Sequence, residues 1–207
     1  MFRWFVRLLV LYSITTAGAP AADVSVAAAS DLNFPIKEII NRFEQTTGNK
    51  VKLSLGSSGN FYAQISNGAP FEVFLSADVS YPERLEASGK AEKGTIFVYA
   101  VGKLVVWVPN GSRLDLNKGG IRALADPSVK KISIANPEHA PYGKAAVVAM
   151  QNAGIYDALK PKLVFGENIS QAAQFVQSGG ADAGIIALSL AMGDSMRASG
   201  RCRTPRA

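Results

Sequence analysis

Two hydroxyls and two glycines stand together at Gly56-Ser57-Ser58-Gly59-Asn60. They follow an alternating run, Val51-Lys52-Leu53-Ser54-Leu55, that reads as a strand, and they precede a short helical pattern over residues 61–67, closed by Gly68. The first N–H groups of a helix have no acceptor inside it, and the dipole there favours negative charge. Such a turn can hold an anion. It can equally be an ordinary helix start with Ser58 as its cap, because serine caps well. The arrangement recurs three times. Ser30-Asp31 follows the apolar run 24–29 and precedes Ile36, Ile39, Ile40 and Phe43 at helical spacing, stopped at Gly48. Tyr142 closes a polar turn between a strand over 131–135 and a helix over 144–152. Ile169-Ser170 follows a strand over 163–165 and opens a helix whose face is Ile169, Ala172, Ala173 and Val176, ended by Gly179-Gly180. Four turns of this kind supply hydroxyls and backbone N–H groups with few cations. That chemistry suits a small oxyanion accepting many hydrogen bonds.

The elements that must position these turns alternate between strand and helix, which predicts an α/β fold with largely parallel sheets flanked by helices. Further strands fall at 71–75 and 183–187, with a helix near 82–87 and a short helical piece at 121–125, broken at Asp126-Pro127. A long β-rich stretch over 95–108 is interrupted at Gly102-Lys103, as a crossing between two lobes would be. Ligands of open α/β sheets sit outside the carboxyl ends of the strands. Two facing lobes would therefore bring the four turns to one cleft. The expected division is 23–102 for the first lobe and 103–196 for the second.

Composition narrows the class. The 207 residues are 48% hydrophobic and 18% charged, in the range of a folded globular chain. The formal charge of +6 invites a nucleic-acid reading, but two of the excess positive charges are Arg3 and Arg7, and four are Arg197, Arg201, Arg203 and Arg206. Residues 23–196 are neutral, so nucleic acid is not an expected partner. Residues 1–22 read as an export signal: Arg3 and Arg7 lead, residues 8–14 are apolar, and Ala19-Pro20-Ala21 offers a cleavage point. The apolar run is too short to span a bilayer. Cys202 is the one cysteine, so no internal disulfide forms.

Catalytic and metal patterns are absent. There is no GxxxxGK[ST] loop, no GxGxxG after a strand and no HExxH. His139 is the single histidine and sits in a proline-rich turn. Ser128 and Lys131 match S-x-x-K by spacing alone, without the companion motifs. Asp78 follows Ser76-Ala77 where a helix cap would stand. No metal cation, cofactor or catalytic set is expected, and the chain is not expected to be an enzyme.

Several runs occur in one order: Ala28-Ala29-Ser30-Asp31-Leu32, Gly56-Ser57-Ser58-Gly59-Asn60-Phe61-Tyr62-Ala63-Gln64-Ile65, Gly68-Ala69-Pro70, Phe74-Leu75-Ser76-Ala77-Asp78, Asn136-Pro137-Glu138-His139-Ala140-Pro141-Tyr142-Gly143 and Ala181-Asp182-Ala183-Gly184-Ile185. Over residues 23–200 the chain closely resembles the periplasmic molybdate-binding proteins of ABC transporters. The resemblance implies a two-lobed periplasmic binding protein whose lobes close on molybdate or tungstate. It implies a monomer that hands the anion to a permease at the inner membrane. It also implies the site: Ser30 and Asp31 first, the Ser58 hydroxyl second, the Tyr142 phenol third, and the Ile169 backbone N–H fourth. Tyr142 would replace a tyrosine that other relatives carry after the last strand, where Ala187 stands here. These residues would hold the oxygens of the anion, not a free metal cation.

Two departures stand out. Asp31 occupies a position where relatives carry a neutral polar residue. An ionised carboxylate only accepts hydrogen bonds and repels an anion. The favoured reading turns Asp31 away as a helix cap; the other is an altered ligand preference. Second, relatives continue with a segment that returns to the first lobe, whereas residues 197–207 are basic and lack an apolar period. They read as a shortened end, with lower solubility and weaker binding expected. Three other readings stay open: a receptor for sulfate or another tetrahedral oxyanion, an exported hydrolase using Ser58 or Ser128, and a non-functional truncated product.

Overall fold

The structure is a computed structural model that describes residues 22–203. The export-signal segment lies, Ala22 apart, outside the described residues. The chain starts with β1 (Asp23–Ala29), a helical turn (Ser30–Leu32), α1 (Pro35–Thr47), β2 (Lys50–Gly56), α2 (Ser58–Ser66), β3 (Val73–Leu75) and α3 (Ser80–Ala87). β1 lies between β2 and β3, parallel to both. Pro35 begins α1, where its missing N–H costs nothing, and Gly48 ends it with φ of 75°.

The second half holds β4 (Leu104–Pro109), α4 (Leu116–Gly119), a 3-10 turn (Gly120–Ala125), β5 (Ile132–Ala135) and α5 (Pro141–Asn152). There follow α6 (Tyr156–Leu159), β6 (Leu163–Gly166), α7 (Ile169–Gln177), β7 (Ala183–Ala187), α8 (Leu188–Ala191), α9 (Asp194–Ser199) and β8 (Gly200–Arg203). The strand order is β6-β5-β7-β4-β8. β5 is parallel to β6 and β7, while β4 runs antiparallel to β7 and β8. β5 and β7 are buried along their whole length. They read as continuous apolar runs because helices cover both faces. On one face Val105, Trp107 and Ile186 meet Ala172, Ala173 and Val176 of α7. On the other, Val106, Ile134 and Ile185 meet Ala146 and Met150 of α5 and Leu159 of α6. Ser133, fully buried in β5, donates its hydroxyl to the Ala172 carbonyl at 2.8 Å, so that hydroxyl is not stranded.

Three expectations change. The β-rich stretch 95–108 is a strand only from Leu104 onward, and residues 95–103 form no regular element. Phe97 is 74% exposed and Val101 83%. A strand needs a neighbour for its backbone groups, and among the described residues no strand lies beside this segment. Residues 200–203, which show no apolar period, form β8 on the edge of β4, because pairing there is made by backbone groups. Gly200 permits the approach, since a Cβ there would collide with the Trp107 ring and the Val108 carbonyl. Arg201 donates to the carbonyls of Ser112 (2.7 Å) and Leu114 (3.1 Å), and Arg203 to Asn117. Finally, the apolar face read on α1 is only partly covered: Ile36 is buried, but Ile39 is 59% exposed.

Candidate functional site

The four turns singled out above meet in pairs: Ser30-Asp31 with Asn168-Ser170 and with Tyr142, and Ser57 to Gly59 with the turn that precedes Tyr142. Ser30 leaves β1 and points at the start of α7. Its Oγ donates to Asn168 Oδ1 at 3.0 Å and accepts from the Ser170 N–H at 3.3 Å, while Ser170 Oγ donates to the Ser30 carbonyl at 2.8 Å. Asn168 is the N-cap of α7 and also accepts from the Gln171 N–H. Ile169 begins that helix with its side chain in the core and its backbone N–H at the end where the helix supplies no acceptor.

Ser58 is fully buried at the first position of α2. It is not the cap. Ser57 is, accepting from the Asn60 N–H, whereas Ser58 Oγ accepts from the Ala77 N–H at 2.9 Å. One residue of register separates the two roles, and the sequence Ser-Ser leaves either possible. The start of α2 is held against the turn before α5. The Gly59 N–H donates to the His139 carbonyl at 2.9 Å, and a Cβ at Gly59 would strike that oxygen. Ser57 Oγ lies 3.0 Å from His139 Nδ1, His139 Nε2 lies 3.7 Å from Glu167 Oε1, and Asn60 Nδ2 donates to the same oxygen at 2.6 Å.

Tyr142 lies inside α5, at its second residue, and not in the preceding turn. Its hydroxyl donates to Asp31 Oδ2 at 3.0 Å. Asp31 therefore does not point away as a cap. It stands within a three-residue turn that has no side-chain cap, is 8% exposed, and leaves Oδ1 buried without a partner. Its backbone carbonyl accepts from Ser189 Oγ of α8 at 2.8 Å. Burial pushes the Asp31 carboxyl up to about 6, against a smaller opposing effect of the Tyr142 hydrogen bond. Tyr142 is raised by burial and then by the neighbouring carboxylate. Tyr99, which donates to the Ser76 carbonyl, is pushed up to about 12 by burial and then by Asp31.

Ser57 and Asn60 stood in the opening motif without an assigned role, and the contacts of His139, Glu167, Asn168 and Ser189 escaped the sequence reading. Only Asn168 carried a local signal, as an asparagine directly before an apolar helix face. The serines named for hydrolysis lie apart from His139: Ser58 faces Ala77, and Ser128 Oγ donates to Asp126 at 2.6 Å. Asp78 accepts from the Ser80 N–H at the start of α3, but it is not the cap expected, since Val79 holds the N-cap position and Asp78 stands one residue before it. No group of three or more His, Cys, Asp or Glu able to hold a metal ion occurs among the described residues. A cavity of about 620 Å³ lies between β3 and residues 95–100, and none of Ser30, Asp31, Ser58, Tyr142 or Ile169 lines it.

Two α/β lobes with donors converging between them define a periplasmic binding protein. The chain belongs to the bacterial extracellular solute-binding protein family, which residues 24–204 match. It is 48% identical over 176 residues to the molybdate-binding protein ModA of Azotobacter vinelandii, covering 85% of this chain and 69% of that protein. It is 46% identical over 175 residues to the molybdate-binding protein ModA of Rhodobacter capsulatus, covering 84% of this chain and 68% of that one. Among solved structures, the periplasmic molybdate-binding protein of Azotobacter vinelandii superimposes with a TM-score of 0.77 at 35% identity, over 89% of this chain and 77% of that one. The family binds solutes for transport, and this chain is not an enzyme.

Proposed function

We propose that this protein captures molybdate, and tungstate with it, in the periplasm and delivers it to an ABC permease, acting as a monomer after removal of residues 1–22. Residues 23–102 form one lobe and 103–196 the other, closing about the segment that joins them. The observation that carries the reading is the convergence of four strand-to-helix junctions bearing Ser30, Ser58, Tyr142 and Ile169 on one interface, where no Lys or Arg forms an ion pair among the described residues. Ser30 and Ser58 would donate hydroxyls, Tyr142 its phenol, and Ile169 its backbone N–H. Both relatives reported above carry the name of molybdate-binding proteins.

A calorimetric titration with molybdate, tungstate, sulfate and phosphate tests the reading. Molybdate and tungstate should bind and raise the melting temperature, since a ligand of the folded state at a hundredfold excess over Kd stabilises by about 2.7 kcal/mol. Sulfate and phosphate should do little. Ser58→Ala and Tyr142→Phe each remove a donor to a charged ligand, worth roughly 1.5–3 kcal/mol, or about ten- to a hundredfold in affinity. Equal melting shifts with all four anions would reduce the effect to ionic strength.

A further inference from the structure

Asp31 is hard to reconcile with an anion site while it is ionised. Its carboxylate is buried at the meeting point of the lobes, one oxygen accepts the Tyr142 hydrogen bond, and the other has no partner among the described residues. A phenol has one proton to give. As long as Asp31 holds it, Tyr142 cannot donate to a ligand, and the carboxylate repels any anion brought beside it. A proton on Asp31 changes both facts together. The neutral carboxyl no longer requires the phenol, so Tyr142 becomes free to donate. The acid gains an O–H of its own, and the unpartnered Oδ1 is the oxygen with room in its hydrogen bonding to carry it.

We infer that Asp31 couples oxyanion capture to the uptake of one proton, converting the Asp31–Tyr142 pair from a closed donor–acceptor couple into two donors aimed at the anion. The proton comes from solvent, resides on Asp31 while the anion is bound, and returns to solvent on release. This rests on the oxyanion reading above and adds to it the residue that sets the response to pH.

The surroundings of the carboxyl are compatible. The turn that carries it is flanked by Ser30. α5 presents Tyr142, the crossing segment presents Tyr99, α7 presents Asn168 and Ser170 to the neighbouring Ser30, and α8 presents Ser189. Among the described residues no cation pairs with Asp31. His139 faces Ser57 and Glu167 instead. A carboxyl already held near 6 by burial needs only the field of an adjacent anion to remain protonated at neutral pH.

Titrations of the mature protein with molybdate from about pH 6.5 to 8.5 test this, alongside Asp31→Asn and His139→Gln. One bound proton gives close to a tenfold fall in affinity per pH unit above the free carboxyl's titration. The wild type should show that slope, and His139→Gln should keep the slope whatever its absolute affinity. Asp31→Asn should be flat and bind more tightly at the alkaline end, because an amide donates at every pH. Repeating the wild-type titration at pH 7.5 in buffers of different ionisation enthalpy should return about one proton taken up per anion. That measurement needs no variant to fold. A flat wild-type profile, or an equal slope in Asp31→Asn, overturns the coupling while leaving the oxyanion reading intact. Absence of binding by the wild type at every pH overturns both.

Discussion

The two lobes are built to different depths. In the second, β5 and β7 are enclosed by helices on both faces, and Trp107, Leu124, Ile134 and Met150 are fully or almost fully buried. In the first, three parallel strands support a thinner core of Val26, Ile36, Phe61, Ile65 and Leu85, while Ile39 and Phe43 of α1 and Val73 of β3 remain exposed. Yet the first lobe carries Ser30, Asp31 and Ser58, which are buried. Ser30 and Asp31 are paired across the interface to Asn168, Ser170, Tyr142 and Ser189. One lobe is stabilised from within; the polar end of the other is completed by its neighbour. A recognition site can thus be well ordered on a lobe whose outer face is not.

The sharpest test of this contrast is the core of the second lobe. Trp107→Ala should cost about 3–5 kcal/mol of unfolding free energy in a denaturant titration, by lost burial and the cavity left behind. A loss below 1 kcal/mol would remove the claim that this lobe holds itself together.

Asp31 tests the opposite claim, that the first lobe's polar end owes its environment to the second. Its folded-state titration near 6 stands above the ordinary carboxyl value of 3.8. A raised value means the folded state holds the proton more tightly, so the contribution is present below about pH 4 and lost as pH rises through about 6. Ligand-free wild type should therefore lose on the order of 2 kcal/mol relative to Asp31→Asn between those limits. Parallel stability curves for the two proteins would show Asp31 to be hydrated, with the lobes apart in solution.

A smaller effect is expected at the seam. Asn168→Ala removes the cap of α7 and the acceptor of Ser30 Oγ together, at a cost of about 1 kcal/mol, with weaker molybdate binding measured in parallel. A change in stability with affinity untouched would make Asn168 a helix cap alone.

The smallest effect should come from the open face. Ile39→Ala and Phe43→Ala should each stay within about 0.5 kcal/mol of wild type, as exposed substitutions do. A loss above about 2 kcal/mol would mean that α1 is covered in solution, for which sedimentation would show the partner.

Most strands and the longer helices were legible in the sequence because each is written in a few neighbouring residues, although α2 and α5 begin at Ser58 and Pro141, ahead of the starts read at 61 and 144. Ile36, Ile39, Ile40 and Phe43 before Gly48 mark α1, the Ile-Ser-Ile-Ala run makes β5, and the face Ile169, Ala172, Ala173 and Val176 makes α7. The candidate turns followed from the same local logic. Three features did not. β8 has no apolar period, since its pairing rests on backbone groups and a glycine beside Trp107. Residues 95–103 carry strand-forming side chains but lack a strand beside them. The cap falls on Ser57 and not on Ser58, because capping depends on a one-residue register that two adjacent serines do not distinguish.

Sequence alone determined that this chain has strand-to-helix turns rich in donors, a neutral body and the motif order of an oxyanion receptor. Those properties are set by residue type and by spacings of a few positions. Only the tertiary structure decided what Asp31 does. The hydrogen-bond partner of its carboxylate, Tyr142, is 111 positions away in sequence, so no local pattern could place the phenol against the carboxylate. The burial that raises its titration arises where two lobes meet. A side chain's charge state depends on the solvent and partners around it, and here the hydrogen-bond partner of the carboxylate comes from the opposite lobe.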